Sequence, residues 1–189
     1  MRIDVTVESL TQERVGAFFS YLNDHISDNG KDNAPLFLPI SKNDLTLPKS
    51  VGDSFRNGQS ISLGQLGWRR VFIAIDEKNH IIGHIDLRSH TENYTSHRAL
   101  MGMGVHRDYR KMGLGSMLIE SVVTWAKNDT NIERIDLWVL SENSPAIKLY
   151  KKLGFQKIGT VEDMFRIDDA SLNYIMMTRK IERTVADND

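Results

Sequence analysis

Residues 104–128 read GVHRDYRKMGLGSMLIESVVTWAKN, and their reading decides the fold. Val105 closes an apolar run, ALMGMGV over 99–105, with the character of a strand. Arg110, Gly113 and Gly115 fall in the short turn that follows. Leu114, Leu118, Val122 and Trp125 then recur at helical spacing, which predicts a helix from about Met112 to Asn128. The segment is therefore strand, glycine turn, helix. A helix N-terminus offers unpaired backbone N–H groups and the positive end of the macrodipole, which together suit a pyrophosphate. Glycine at 113 and 115 lets phosphates approach where a Cβ would collide, and Arg110 and Lys111 bring positive charge. Taken alone, the turn fits two uses: a phosphate loop, or a tight turn with close packing. A dinucleotide fingerprint is not present, because Gly102 and Gly104 are followed by Arg107, and no G-K-[ST] follows the glycines.

Upstream, VFIAID, the turn EKNH and IIGHIDL over 71–87 read as two strands at hairpin spacing, joined by the polar linker SHTENYTSHR to the strand at 99–105. Downstream come a strand RIDLWVL, a helix from Pro145 to Leu153, and two strands near 155–165 and 172–179. Ser144 is the expected N-cap with Pro145 as first helical residue, and Gly154 the stop. At the other end, Ile3, Val5 and Val7 alternate as a half-buried strand would. Val15, Phe18, Phe19 and Leu22 mark a helix; residues 28–50 read as an irregular loop, and 49–62 as a second short helix. The result is one α/β domain with a mixed, mostly antiparallel central sheet flanked by helices. Only the final VADND reads as frayed.

With 189 residues, 40% apolar and 26% charged, the chain can build one full core. Net charge is -1, which supplies no drive toward nucleic acid or anionic lipid. No cysteine is present, so disulfides, thiolate zinc sites and a cysteine nucleophile are excluded. The first residues, MRIDVTVESLTQERV, carry no apolar signal region or membrane span, so a cytoplasmic protein is expected.

GVHRDYRKMGLGSMLI resembles motif A of the GNAT (GCN5-related) N-acetyltransferase superfamily, an R/Q-x-x-G-x-G/A loop after a strand ending in Val. LWVLSENSPAIKLYKKLGF resembles the strand, Asn, Ala, helical Tyr and Gly-Phe of motif B. Together they cover about residues 70–180, the expected acyl-CoA-binding core. Residues 1–69 would then be a variable substrate-side part, and 181–189 a tail of the same single domain. The resemblance implies a GNAT fold in which the strand at 99–105 splays from that at 134–140. The pantetheine arm of acetyl-CoA would enter the gap as an extra strand.

For individual residues the resemblance implies cofactor binding by Met103, Gly104, Val105, Arg110, Lys111, Met112, Gly113, Leu114, Gly115, Ser116, Asn143 and Ala146. It implies that Tyr150 is the general acid for the leaving thiolate. From helical spacing alone, Ala146, Leu149, Tyr150 and Leu153 share one face, and Tyr150 is either a packed aromatic or a group of the site. Relatives in this family carry a Glu on the central strand, in a run like H-t-a-E-l-g, where HRALMG here places Leu100. Glu142 is taken as the base, with His97, His84, Asp86 and Glu92 as alternatives. Direct transfer in a ternary complex needs no metal. The implied activity is acetyl transfer to the primary amine of a small molecule, such as an amino acid or polyamine. A protein N-terminal or lysine acetyltransferase and a non-catalytic acyl-CoA-binding module are the alternatives. A homodimer is left open; no nucleic acid or membrane partner is expected.

Overall fold

The computed structural model describes residues 4–31 and 34–183. Seven strands form one sheet: β1 (Val5–Ser9), β2 (Arg69–Asp76), β3 (Ile81–Arg88), β4 (Arg98–Val105), β5 (Arg134–Leu140), β6 (Gln156–Ile167) and β7 (Ala170–Lys180). Their order is β1-β2-β3-β4-β5-β7-β6, and every neighbouring pair is antiparallel except β4 and β5. Four helices complete the domain: α1 (Val15–Ile26), α2 (Lys49–Asn57), α3 (Leu114–Asp129) and α4 (Ser144–Lys152). The mixed sheet read from the sequence is present, with Ile3 of the first strand and the tail after 183 outside the described residues.

Side chains on successive strand residues alternate between faces, and this sorts the core. On the back, Ile85, Leu87, Ala99, Met101, Ile135, Leu137 and Met177 join Leu114, Leu118, Ile119, Val122 and Ala126 of α3 and Tyr150 of α4 in one buried cluster. On the front, Val71 and Ile73 join Phe18, Tyr21, Leu22 and Ile26 of α1 and Phe55 of α2 in a second. The α1 set falls at i, i+3, i+4 and i+8, the stripe that an amphipathic helix lays on a sheet. The β2–β3 turn closes on Asp76, whose carboxylate accepts from the N–H groups of Lys78 (3.0 Å) and His80 (2.8 Å).

Three boundaries differ from the sequence reading. α3 starts at Leu114, because Gly113 sits at φ +87 and ends the turn there. α4 is capped one residue early: the Asn143 Oδ1 accepts from the Ala146 N–H (3.3 Å), which puts Ser144 and Pro145 inside the first turn. The helix expected over 49–62 ends at Asn57 and continues as a 3-10 turn, Gly58–Ser60.

Candidate active site

The parallel pair β4/β5 is joined at three positions only, Arg98↔Arg134, Ala99↔Ile135 and Leu100↔Asp136. Beyond them β4 continues to Val105 and β5 to Leu140 without pairing, so the two strands splay. The phase of the β3/β4 ladder decides which backbone groups face the gap. His106 N–H donates to Ile82 O (2.9 Å), and an antiparallel ladder alternates inward and outward residues. Gly104, Gly102 and Leu100 therefore turn their N–H and C=O groups to β3, whereas Met101, Met103 and Val105 turn theirs into the gap. The C=O of Val105 is taken by Arg110 Nε (3.1 Å). Met103 and Val105 thus lie on the open edge, whereas the Met101 N–H is used in the Leu100↔Asp136 pairing and the polar groups of Gly104 face β3.

At the wide end of the splay stands the N-terminus of α3. Ser116 and Met117 donate to Gly113 O (3.0 and 3.1 Å). No acceptor among the described residues takes the N–H groups of Lys111, Met112, Gly113, Leu114 or Gly115. Lys111 adopts φ +63 and Gly113 φ +87, which turns this run of N–H groups around one concave bend. A Cβ at Gly113 would meet no protein atom, so the bend opens outward. A Cβ at Gly115 would lie 2.9 Å from Leu149 Cδ2 and 3.3 Å from Met103 Cε. Gly115 is therefore the point where α3, α4 and β4 converge. Leu114 anchors the turn in the core at 4% exposure, while Lys111 and Met112 stay exposed.

Arg110 does not reach this bend. Besides Val105 O, it pairs with Asp28 after α1 (2.5 Å) and lies 5.7 Å from the Phe37 ring. Its charge is spent on tying the loop after β4 to the loop after α1, together with Arg107, which contacts Asp24 and Asp28. The positive charge left at the bend is Lys111 and the helix terminus itself.

Tyr150 projects from α4 into the back of the gap, buried, with its ring 5.8 Å from Phe155. No described group hydrogen-bonds its hydroxyl, and burial, with a smaller contribution from Tyr174, raises its pKa above the usual tyrosine value. A hydroxyl so placed stays protonated and has its donor free. Asn143 and Ala146 meet each other through the helix cap. Glu142 lies exposed on the turn after β5, its carboxylate accepting from Ser141 (2.6 Å). Of the other base candidates, Glu92 and His97 are exposed at the closed end of the splay. His84 is sealed: the Tyr21 hydroxyl donates to Gly104 O (3.1 Å) and lies 3.1 Å from His84 Nδ1. Burial lowers the pKa of His84 to about 4, and lowers that of His25 well below the usual value.

The front of the gap holds residues that the sequence reading passed over. Trp138 and Tyr174 stack at 5.1 Å, and Phe165 meets Tyr174 edge-on at 5.0 Å, forming an aromatic shelf on β5, β7 and β6. On the opposite side lie Arg88 of β3, also passed over, and Asp86, one of the base candidates, buried between Arg69 and Arg88. Both sets were signalled by alternation: His84, Asp86 and Arg88 interleave with Ile85 and Leu87, and Trp138 with Leu137 and Val139. Above, the segment between α1 and α2 crosses the splay. Asn29 holds it through Phe37 N–H, Leu38 N–H and Leu38 O, and Ser41 Oγ and Lys42 N–H donate to Asp168 in the β6–β7 turn (2.6 and 2.9 Å).

A separate cleft of about 460 Å³, between Gly64–Leu66, Trp68 and Glu92–Arg98, lies at the closed end of the splay, away from the residues above. Among the described residues no group of three or more His, Asp or Glu side chains is arranged to hold a metal ion, and no described helix is long and apolar enough to cross a membrane.

The model of the acetyltransferase (GNAT) family matches residues 46–155, more than half of the chain. The L-amino acid N-acetyltransferase AaaT of Escherichia coli is 34% identical over 80 residues, 42% of this chain and 49% of that protein. An N-alpha-acetyltransferase of Sulfurisphaera tokodaii is 39% identical over 59 residues, 31% of this chain and 35% of that protein. The chain thus spans less than half the length of these curated relatives. Among solved structures, that of yncA from Salmonella typhimurium with its cofactor acetyl-CoA superimposes with a TM-score of 0.75 at 13% identity, over 98% of each chain.

Proposed function

The chain belongs to the acetyltransferase (GNAT) family, and from that premise we propose that it transfers an acetyl group from acetyl-CoA to the primary amine of a small molecule, an amino acid being the leading acceptor. The observation that carries the reading is the open edge of β4 beside β5, with the unpaired N–H groups at the start of α3 at one end and the free Tyr150 hydroxyl at its back. Acetyl-CoA, when bound, supplies an activated acyl group and a thiol leaving group.

The chain's own residues divide the work. The bend from Lys111 to Gly115 fits a pyrophosphate by its converging N–H groups. Met103 and Val105, on the exposed edge, can pair with the amides of an extended pantetheine arm and polarise the thioester carbonyl. Tyr150 donates its proton to the departing thiolate. With Leu100 in the position of the carboxylate common in relatives, and with Asp86, the buried carboxylate at the front of the gap, held by Arg69 and Arg88, no described carboxylate is free to act as base there, which favours an acceptor that is partly neutral in water. An α-amine with pKa near ~8 is roughly 10% neutral at pH 7, against ~0.1% for a lysine-like amine.

The segment that crosses the splay and bonds Asp168 narrows the front on the side where a long peptide would enter, which favours a small acceptor. The cytosol is the compartment where such a cysteine-free protein would meet acetyl-CoA. A screen of amino acids, polyamines and short peptides with free N-termini, following thiol release, tests the reading. Turnover of small amines is expected. Turnover of peptides alone would make this an N-terminal acetyltransferase, and binding of acetyl-CoA without turnover of any amine would make it a binding module.

A further inference from the structure

The floor of the cleft carries an excess of positive charge. Arg69 and Arg88 are paired across β2 and β3 and project to the front face, where one carboxylate, Asp86, serves both: Arg69 Nε at 3.2 Å and Arg88 NH1 at 3.0 Å from the same oxygen. Arg69 is buried against the Phe55 ring, 4.0 Å from its centre, and its NH1 has no acceptor among the described residues. Arg88 keeps 32% of its side chain exposed. The neighbouring groups do not cancel this charge. His84 is buried and neutral, and Asp136, the next carboxylate along the face, is enclosed by Arg98, His90 and Thr178.

The position of Arg88 is set by a glycine. A Cβ at Gly102 would lie 3.1 Å from Arg88 NH1 and 2.7 Å from Asp86 Oδ1, so the guanidinium reaches β4 only because residue 102 has no side chain. It stands one residue, about 3.3 Å of strand rise, from Met103 on the open edge. Toward β7 it is close enough to Tyr174 to oppose the rise that burial imposes on that hydroxyl's pKa.

We propose that Arg88 is the specificity residue of the acceptor site, binding the carboxylate of an apolar α-amino acid whose amine points to the edge at Met103 and whose side chain lies on the Trp138–Tyr174 shelf. The span from a guanidinium at Gly102 to the edge at Met103 matches the short separation of carboxylate and amine in an α-amino acid. Pairing the carboxylate with Arg88 also removes the negative field that holds the proton on the amine, so the anchor assists deprotonation where the nearby buried carboxylate, Asp86, is already held by two arginines. A polyamine would meet net positive charge on the same floor. The proposal rests on the acetyl-transfer reading above and names its acceptor.

The experiment compares methionine and leucine with methioninamide and leucinamide. The acids are expected to have the higher kcat/KM by about 10- to 100-fold, the usual worth of hydrogen bonds to a charged group. In Arg88→Gln the acid-to-amide ratio should collapse toward one, chiefly through KM of the acid, and Arg88→Lys should recover part of it. Thermal melting and acetyl-CoA titration of each variant report on folding and cosubstrate binding. Intrinsic tryptophan fluorescence in the presence of CoA should respond to methionine in the wild type, through Trp138, and not in Arg88→Gln. Equal turnover of acid and amide by the wild type, or a preference that survives in Arg88→Gln, overturns the anchor and leaves acetyl transfer standing. A protein that does not bind acetyl-CoA removes both.

Discussion

Replacing Tyr150 by Phe removes one oxygen and leaves the ring on Phe155. In the folded chain that hydroxyl takes no hydrogen bond from any described residue, and its oxygen is not among the fully buried unpaired polar atoms. The variant should therefore melt close to the parent, within about 1 kcal/mol or roughly 2–4 °C in Tm, because neither a hydrogen bond nor the ring packing is lost. Catalysis should move the other way. General acid assistance is worth ~10² to 10⁴-fold, or about 3 to 5 kcal/mol of activation free energy, so kcat falls by that factor while acetyl-CoA affinity holds. The pH profile gives a second sign. Burial raises the Tyr150 pKa, so its proton is retained as pH rises to 10 and the wild-type rate should not decline on the alkaline side through this group. Steady-state kinetics of both proteins from pH 6 to 10, with melting curves and a cosubstrate titration, supply all three readouts. Wild-type kcat in Tyr150→Phe would make Tyr150 a core residue and refute the assignment.

Gly113→Ala should weaken acetyl-CoA binding at least tenfold in calorimetry, because its Cβ enters the open bend at φ +87; the strain costs the fold only about 1–2 kcal/mol. Gly115→Ala should instead lower Tm as well, since its Cβ meets Leu149 and Met103. Arg110→Ala should destabilise by about 1–2 kcal/mol through loss of the Asp28 pair, between the worth of exposed and buried ion pairs, and should change acetyl-CoA affinity little. A large affinity loss at unchanged Tm would return Arg110 to the phosphate site. His84 titrates near 4 in the fold and near 6.5 when unfolded, so the unfolded chain takes up its proton first. That contribution, about 3 kcal/mol, is present above pH 6.5 and is lost as pH falls from 6.5 to 4, with His25 acting in the same direction. Urea unfolding at pH 7.5, 6 and 5 should show the decline, and a flat profile contradicts it.

What could be read from the sequence was local. Gly113, Gly115 and Pro145 punctuate the chain through their own backbone limits, and Leu114, Leu118 and Val122 mark a helix whatever surrounds it. Those features located α3, α4 and the strands beside them. The cap of α4 moved by one residue because Asn143 and Ser144 are both competent caps, and the choice between them is made by the turn leaving β5. The ion pair of Arg110 was not legible for a different reason: its partner, Asp28, is remote in sequence, and motif spacing carries no trace of that pairing. Leu100 was read as a departure from the pattern of relatives, but what stands around it was not read. Arg88 and Trp138 sit at the polar-face positions of otherwise apolar strands, a pattern that was visible. Their convergence across the splay depends on β4 and β5 being neighbours that part after Leu100, which only the three-dimensional register shows.

The central claim, that acetyl-CoA occupies the gap between β4 and β5, is tested most directly by titrating it into the protein in a calorimeter beside a thermal melt. The account predicts one site per chain and a rise in Tm. At a hundredfold excess over the dissociation constant the stabilisation is about 2.7 kcal/mol, or several degrees for a chain of this size. No heat and no shift at millimolar acetyl-CoA would contradict it.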